Sequence, residues 1–345
     1  MNLECPLPQT EFDVITMGHG SGGLLTHKLL KAGVFNLFDN EILRQHHDGA
    51  TLDLSGKTVF TTDSFVVSPL FFPGGNIGDL AINGTVNDLA MCGGLPNYIS
   101  VAFILEEGLE MTTFWQVLVS MKRAAELAGV KIVTGDTKVV ERGKGDQMFI
   151  NTTGIGSLHP KAKIGMDRIN KGDKIILSGE MAHHGTTIMS LREGLKFDAE
   201  ILTDTCSLHE PVVRVLDQFG SGIHFFRDPT RGGVATTLAE IAAERQLGVD
   251  VYENQLPQNE LVNSACELLG LDPLYVANEG LFLSVVDSQV ADRFLHTVKS
   301  HQLCRKAALI GEITDQHGGK VVLHNAIGGK RVLGMLPGEQ LPRIC

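Results

Sequence analysis

The sequence predicts an α+β protein: two mixed α/β domains with mainly antiparallel sheets, followed by a short flexible tail. Three observations carry this reading. Strand-like apolar runs and helical stretches are mixed in both halves of the 345 residues, a length that suits two domains. The first half runs strand, strand, helix, strand, which is not the strict alternation of a parallel βαβ sheet. A basic and polar stretch, HPKAKIGMDRINKGDK (159–174), separates two series of elements, and from about Gly334 periodicity disappears. These features divide the chain into an N-terminal segment with a Gly-rich loop (1–45), a first domain (46–160), a second α+β domain (161–333) and a mobile tail (334–345) that carries Cys345.

Residues 1–23 are a polar lead-in closing with a strand-like FDVIT and the loop GHGSGG. LLTHKLLKAGVFNLF (24–38) has apolar residues at helical spacing. Residues 46–72 alternate as two strands around Ser55 and Gly56. NIGDLAINGTVNDLAMCGG (76–94) is a helix closed by a Gly pair, NYISVAFILEE (97–107) a strand, and 112–130 an amphipathic helix ending at Gly129. KIVTGDTKVV (131–140) is expected as a strand that breaks at Gly135, and 147–158 as another strand. The second half opens with strand 173–179, a helix around 186–194 and a helix at 209–220. Loop RDPTRGG (227–233) and helix 234–246 follow. Strand VDVYEN, helix NELVNSACELLG, loop ANEG (277–280), strand LFLSVV, helix SQVADRFLHTVKS and strands near 307–325 complete it.

Composition excludes several classes. With 29 basic against 40 acidic residues and no basic stripe, the chain is not expected to bind nucleic acid. Anions can still be held by backbone N–H groups or metal ions. The 6 cysteines form no C-x-x-C pair, so neither a zinc site nor a disulfide framework is expected. The start has no apolar signal core, and no apolar run reaches the ~18 residues of a membrane span. The expectation is a reduced, cytoplasmic protein without membrane contact.

Several motifs carry chemistry. GHGSGG matches G-x-G-x-x-G, but no good apolar strand leads to an acidic residue ~20 positions on, so a dinucleotide fold is disfavoured. Gly20, Ser21, Gly22 and Gly23 can still cradle a phosphate with bare N–H groups. Asp63 in TTDSF and Asp136 in GDTK follow β-type runs, and Asp88 neighbours a polar stripe of Asp79, Asn83 and Asn87 on a helix. Carboxylates converging from several elements without His or Cys suit Mg²⁺ carrying a phosphate ligand. Their ordinary role would be helix caps or solvated surface, above all for Asp79. Lys138 shares a strand face with Asp136 and can meet phosphate charge or form a surface ion pair. The pair His183-His184 cannot share a metal but can line a pocket. Asp228 and Arg231 precede a helix N-terminus, an edge suited to an anion or nucleotide. Glu279 in ANEG is a general-base candidate if buried. Cys345 is a thiol with little sequence around it to pack against, so its mobility itself is a candidate function.

Taken in order, GHGSGG, TTDSF, NIGDLAINGTVNDLAMCGGLP, GDTKVV, SGEMAHHG, DPTRGGV and NEG resemble a family of ATP-dependent enzymes over most of the chain. That family includes aminoimidazole ribonucleotide synthetase, selenophosphate synthetase, thiamine-monophosphate kinase and a hydrogenase-maturation branch. The terminal PRIC, with GDTKVV, is similar to that last branch.

The resemblance implies an aminoimidazole ribonucleotide synthetase-like fold whose first domain binds ATP and pairs with its twin in a homodimeric barrel. It implies ATP and Mg²⁺ as cofactors, Mg²⁺ on Asp63, Asp88 and Asp136, and nucleotide contacts from Gly20–Gly23, Asn87, Asp228 and Arg231. Cys345 would receive a carbamoyl group from a partner carbamoyltransferase, and ATP would dehydrate the S-carboxamide to an S-cyanate. The cyano group would pass through an iron-binding scaffold complex to the iron of a [NiFe] hydrogenase. In that scheme Glu279 is the base and Lys138 stabilises the transferring phosphoryl group. Two alternatives stay open at this point: a family kinase or synthetase acting on a free small molecule, and a non-catalytic nucleotide-binding scaffold.

Overall fold

The protein is described by a computed structural model covering residues 12–45, 49–195, 197, 199–336, 341 and 343–345. The N-terminal segment is a short helix α1 (Leu24–Leu29), a π turn (Leu30–Val34) and α2 (Phe35–Leu37). The strand expected at FDVIT is reduced to a single bridge, Val14 to Glu110.

The first domain contains β1 (Thr58–Phe65), a two-strand ribbon of β2 (Phe71–Phe72) and β3 (Gly75–Asn76), and α3 (Ile77–Met91). It continues through β4 (Gly94–Glu106), α4 (Met111–Ala128), β5 (Lys131–Val140) and β6 (Met148–Leu158). Its main sheet has the order β1-β6-β4-β5, antiparallel except for β4 with β5. Helix α3 begins with a capping box: Gly78 N–H donates to Asn76 Oδ1 at 2.8 Å, and Asn76 N–H donates to Asp79 Oδ2 at 3.0 Å. Asp79 is therefore a helix-start residue. Helix α4 stops where Gly129 takes the left-handed conformation, φ 67.

The second domain comprises β7 (Lys174–Leu177), α5 (His183–Arg192), α6 (His209–Phe219), β8 (Ile223–Arg227), α7 (Gly233–Arg245) and β9 (Gly248–Tyr252). After these come α8 (Glu260–Leu269), β10 (Leu283–Val286), α9 (Ala291–Lys299), β11 (Ala308–Thr314), β12 (Val321–His324) and β13 (Lys330–Leu333). The sheet order is β13-β12-β9-β11-β7-β10-β8, and only β12 with β9 runs parallel.

Two expectations need correction. The alternation across 46–72 yields one long strand, not two: 49–57 contains no strand, and 46–48 lies outside the described residues. Among the described residues β1 therefore forms the edge of its sheet. Nor does 131–140 break at Gly135. The irregularity falls opposite Ile99 and Ser100, where Val133 is the extra residue, and Gly135 lies flat against β4. A Cβ there would meet Val101 O at 2.2 Å. Strands β8 and β13 were not foreseen.

Each domain has its own core. The first also contains Ile344, 3% exposed, so the last residues pack against that core where the sequence expects a free tail.

Candidate active site between the domains

The pleat of β1 aims alternate side chains at α3. Thr61 Oγ1 donates to Asp88 Oδ2 on α3 at 2.8 Å, and Asp63, two residues on, faces the same side. Ser64 N–H donates to Asp63 Oδ1 at 2.7 Å. The second domain supplies Asp228 and Arg231 from the loop between β8 and α7, and Glu279 from the loop before β10. That last loop is held by Asp204, whose carboxylate accepts from Glu279 N–H at 3.2 Å and Gly280 N–H at 3.1 Å.

Crowding of carboxylates off water sets the electrostatics. Burial pushes the Asp63 and Asp88 carboxyls above their ordinary value, with Arg231 and Arg227 pulling back. Asp228 is pushed up to about 7, by burial first and then by Asp88. Glu279 is raised well above the usual range by burial, with Asp204, Asp228, Asp63 and Asp88 adding to it. It is 5% exposed, and its Oε1 has no hydrogen-bond partner among the described residues. A buried carboxyl with an unused oxygen, in a cleft, marks a functional group more often than a structural one.

The tail enters this cleft. Arg231 faces the Cys345 thiol, and that side chain is the largest influence raising the guanidinium above its ordinary value. The thiol is pushed up to about 11 by burial and by Glu279, while Arg231 lowers it. Cys345 thus lies among Glu279, Arg231 and Asp63.

The structure does not bring every expected residue here. Asp63 pairs across the sheet with Thr152, Thr152 with Val101, and Val101 with Gly135. Asp136 is one residue further and so faces the opposite side of the sheet, about 14 Å across by strand spacing. The expected trio Asp63, Asp88 and Asp136 is therefore not assembled within one protomer; Asp228 joins the first two instead. Asp136 sits on the open face, paired with Lys138 at 2.6 Å, both side chains exposed. Lys138 is correspondingly remote from Glu279.

The Gly loop lies at the same edge of the sheet. Gly20 packs on β5, where a Cβ would meet Val139 N at 2.5 Å, and Gly22 has φ 78. Ser21 Oγ donates to Gly18 O at 3.1 Å, and Gly23 starts α1. Gly20, Gly22, Asp136 and Lys138, with Phe35 and Phe103, line a cavity of about 170 Å³. Asn87 was expected to touch nucleotide, but its amide clamps the domains together. It donates to Cys206 O at 3.0 Å and Glu279 O at 3.2 Å, and accepts from Leu208 N–H at 2.8 Å.

Sequence reasoning missed Thr61, Asp204 and Arg192, and left His184 only as a pocket-lining candidate. Their partners are distant backbone groups or a neighbouring carboxylate, for which no local pattern exists. No helix among the described residues is long and apolar enough to cross a membrane.

The two α+β domains match those of the AIR synthase related proteins. The N-terminal domain of that family matches residues 46–158 and the C-terminal domain 170–324. Carbamoyl dehydratase HypE of Bradyrhizobium diazoefficiens is 46% identical over 332 residues, 96% of each chain. A crystal structure of hydrogenase maturation protein HypE in complex with ATP matches with a TM-score of 0.92 and 47% identity, covering 95% of this chain and 99% of that one. HypE from a HypE–HypF complex matches with a TM-score of 0.79 and 42% identity, over 91% of this chain and 100% of that one. The chain belongs to the HypE carbamoyl dehydratase family, enzymes of hydrogenase maturation.

Proposed function

We propose that this enzyme uses ATP to dehydrate an S-carboxamide carried on its own Cys345 to an S-cyanate, the source of the cyanide ligand on a [NiFe]-hydrogenase iron. The observation that carries the reading is the placement of the Cys345 thiol beside Glu279 and Arg231 in an acidic cleft.

The chemistry balances. The carboxamide oxygen attacks the γ-phosphorus of ATP, ADP leaves, and the oxygen becomes part of a phosphate leaving group. The nitrogen loses both protons, the C–O bond breaks with release of phosphate, and a C≡N bond remains on sulfur. Glu279, with its free Oε1, is placed to accept one nitrogen proton, and the departing phosphate takes the other. Arg231 holds the sulfur end of the group in place.

Asp63, Asp88 and Asp228 concentrate negative charge that Arg227 and Arg231 only partly offset. Among the described residues no group of three or more His, Cys, Asp or Glu side chains is arranged to hold a metal by itself. Mg²⁺ would be held by one or two of these carboxylates and completed by nucleotide phosphates, where it would neutralise phosphate charge.

Asp136, Lys138 and the Gly20–Gly23 loop occupy the sheet's open side and its edge. Phe60 and Ile104 are exposed on the same open face, 66% and 45%. We infer a homodimer in which a second copy covers this face and its Lys138 meets the transferring phosphoryl group. A carbamoyltransferase would load Cys345, as the HypE–HypF complex of a relative suggests. An iron-binding scaffold complex would accept the cyano group.

Mass spectrometry tests the reading. After incubation with the carbamoyltransferase, carbamoyl phosphate and ATP, the peptide ending at Cys345 is expected to carry first the carboxamide and then a group lighter by one water. Substrate-dependent ATP turnover with an unmodified Cys345 overturns it.

A further inference from the structure

The docked tail is held chiefly through its backbone. Arg192, at the end of α5, donates from Nη2 to Arg343 O. His184, on the first turn of α5, bonds from Nε2 to Ile344 O at 2.8 Å. Val66 N–H, just past β1, donates to the Cys345 main-chain oxygen at 3.0 Å. Three successive tail oxygens are thus each met by a donor, two from α5 and one from the chain just past β1.

The tail answers with its own side chains. Arg343 Nε donates to Val66 O at 3.0 Å and its Nη1 to Asp146 Oδ2 at 2.6 Å. Ile344 buries its side chain in the first domain's core. Arg343 has φ 51, a left-handed backbone that a free chain rarely holds, so the contacts select one tail conformation.

His184 is fully buried, with Phe72 edge-on to its ring at 5.6 Å. Because Ile344 O only accepts, Nε2 carries the proton. Nδ1, 2.8 Å from Thr203 Oγ1, is then the acceptor. Thr203 Oγ1 in turn accepts from Thr205 N–H at 3.2 Å and lies 2.8 Å from Thr205 Oγ1. Burial pushes the imidazole below its ordinary range, and the Asp204 carboxylate pulls it back. The same segment contains Asp204, which holds the Glu279 loop. One stretch, 203–205, therefore orients both the base and the histidine that receives the tail.

We propose that Arg192, His184 and the Val66 N–H form a clamp that docks the tail by its backbone oxygens. His184 is the positioning residue that sets Cys345 at the depth of Glu279. The clamp decides how the thiol divides its time between the cleft and the outside, where loading and delivery take place. Its catalytic consequence rests on the dehydration reading above, but tail docking does not.

Full-length variants test it with two readouts: alkylation of Cys345 by iodoacetamide, followed by peptide mass spectrometry, and conversion of pre-loaded S-carboxamide with ATP. His184→Leu removes the donor and is expected to speed Cys345 alkylation about tenfold or more and to slow conversion by a similar factor. Loading by the carbamoyltransferase is expected to be undiminished. His184→Gln, whose amide can still donate to Ile344 O, is expected to restore a large part of both. Arg192→Met opens the same clamp from the other end and serves if His184→Leu does not fold. Unchanged alkylation in both the Leu and Met variants overturns the proposal, as does a Gln variant no better than Leu. The alkylation arm needs neither ATP nor a carboxamide, so it stands apart from any failure of the dehydration reading.

Discussion

Asp136 on the open face of the first domain's sheet and Asp228 in the cleft are the same side chain in opposite surroundings. Asp136 is exposed, and its hydrogen bond to Lys138 holds its carboxyl below the ordinary range. Asp228 faces Asp88 and Asp63 away from water and is pushed up to about 7. The exposed region keeps its charge already matched, ready to meet another surface. The cleft stores unmatched charge that a cation, a proton or a phosphate-bearing ligand would relieve. Catalytic tension therefore sits between the domains, and the open face keeps Asp136 and Lys138 on the other side of the sheet.

The largest expected effect breaks the cleft. Glu279→Gln keeps shape but cannot take a proton, and conversion of S-carboxamide to S-cyanate should fall by about 10²–10⁴. Loading of Cys345 should be unaffected, and the two rates separate the steps.

The second experiment asks whether the two regions cooperate across a dimer. Asp136→Asn and Glu279→Gln protomers are each expected to be impaired alone. Mixed and allowed to exchange, they should recover about a quarter of wild-type activity if Asp136 acts on the other copy's cleft, since half of the dimers then have one intact site. If Asp136 acts within its own chain, mixing restores nothing.

A smaller effect concerns pH. The folded pKa of Asp228 lies above its ordinary 3.8, so its charged form opposes folding. Its favourable contribution is complete below about 4 and is lost as pH rises to about 7. Asp228→Asn should flatten that part of the melting temperature against pH, raise the melting temperature of metal-free protein at pH 8 and weaken stabilisation by Mg²⁺ with ATP. A pH profile like the wild type's would remove Asp228 from the charged cluster.

The smallest effect is structural. Asn87→Ala strips buried partners from Cys206, Leu208 and Glu279 and should cost about 1–3 kcal/mol in urea unfolding. Nucleotide affinity should change little if the amide clamps the domains and does not touch the nucleotide.

Much of this was legible along the chain. Helices α3 and α4 announce themselves by a closing Gly pair and a terminal Gly129, which act within a few residues. Asp63, Asp228, Arg231 and Glu279 could be singled out because strand ends and helix starts are where such residues reach ligands. Asp136 misled for a physical reason. Its run reads like that of Asp63, yet side chains one residue apart on a strand point to opposite faces, and only the register between β1, β6, β4 and β5 says which face is which.

By itself, then, the sequence determined the two α+β domains, the Gly loop, the stock of carboxylates and a thiol at Cys345, because propensity, capping and periodicity are local. Tertiary structure alone decided which carboxylates share a cleft, that Asn87 joins domains, and that His184, Arg192 and Val66 receive the tail. Those outcomes depend on backbone groups more than a hundred residues away and on desolvation, and neither is written in any short stretch of the chain.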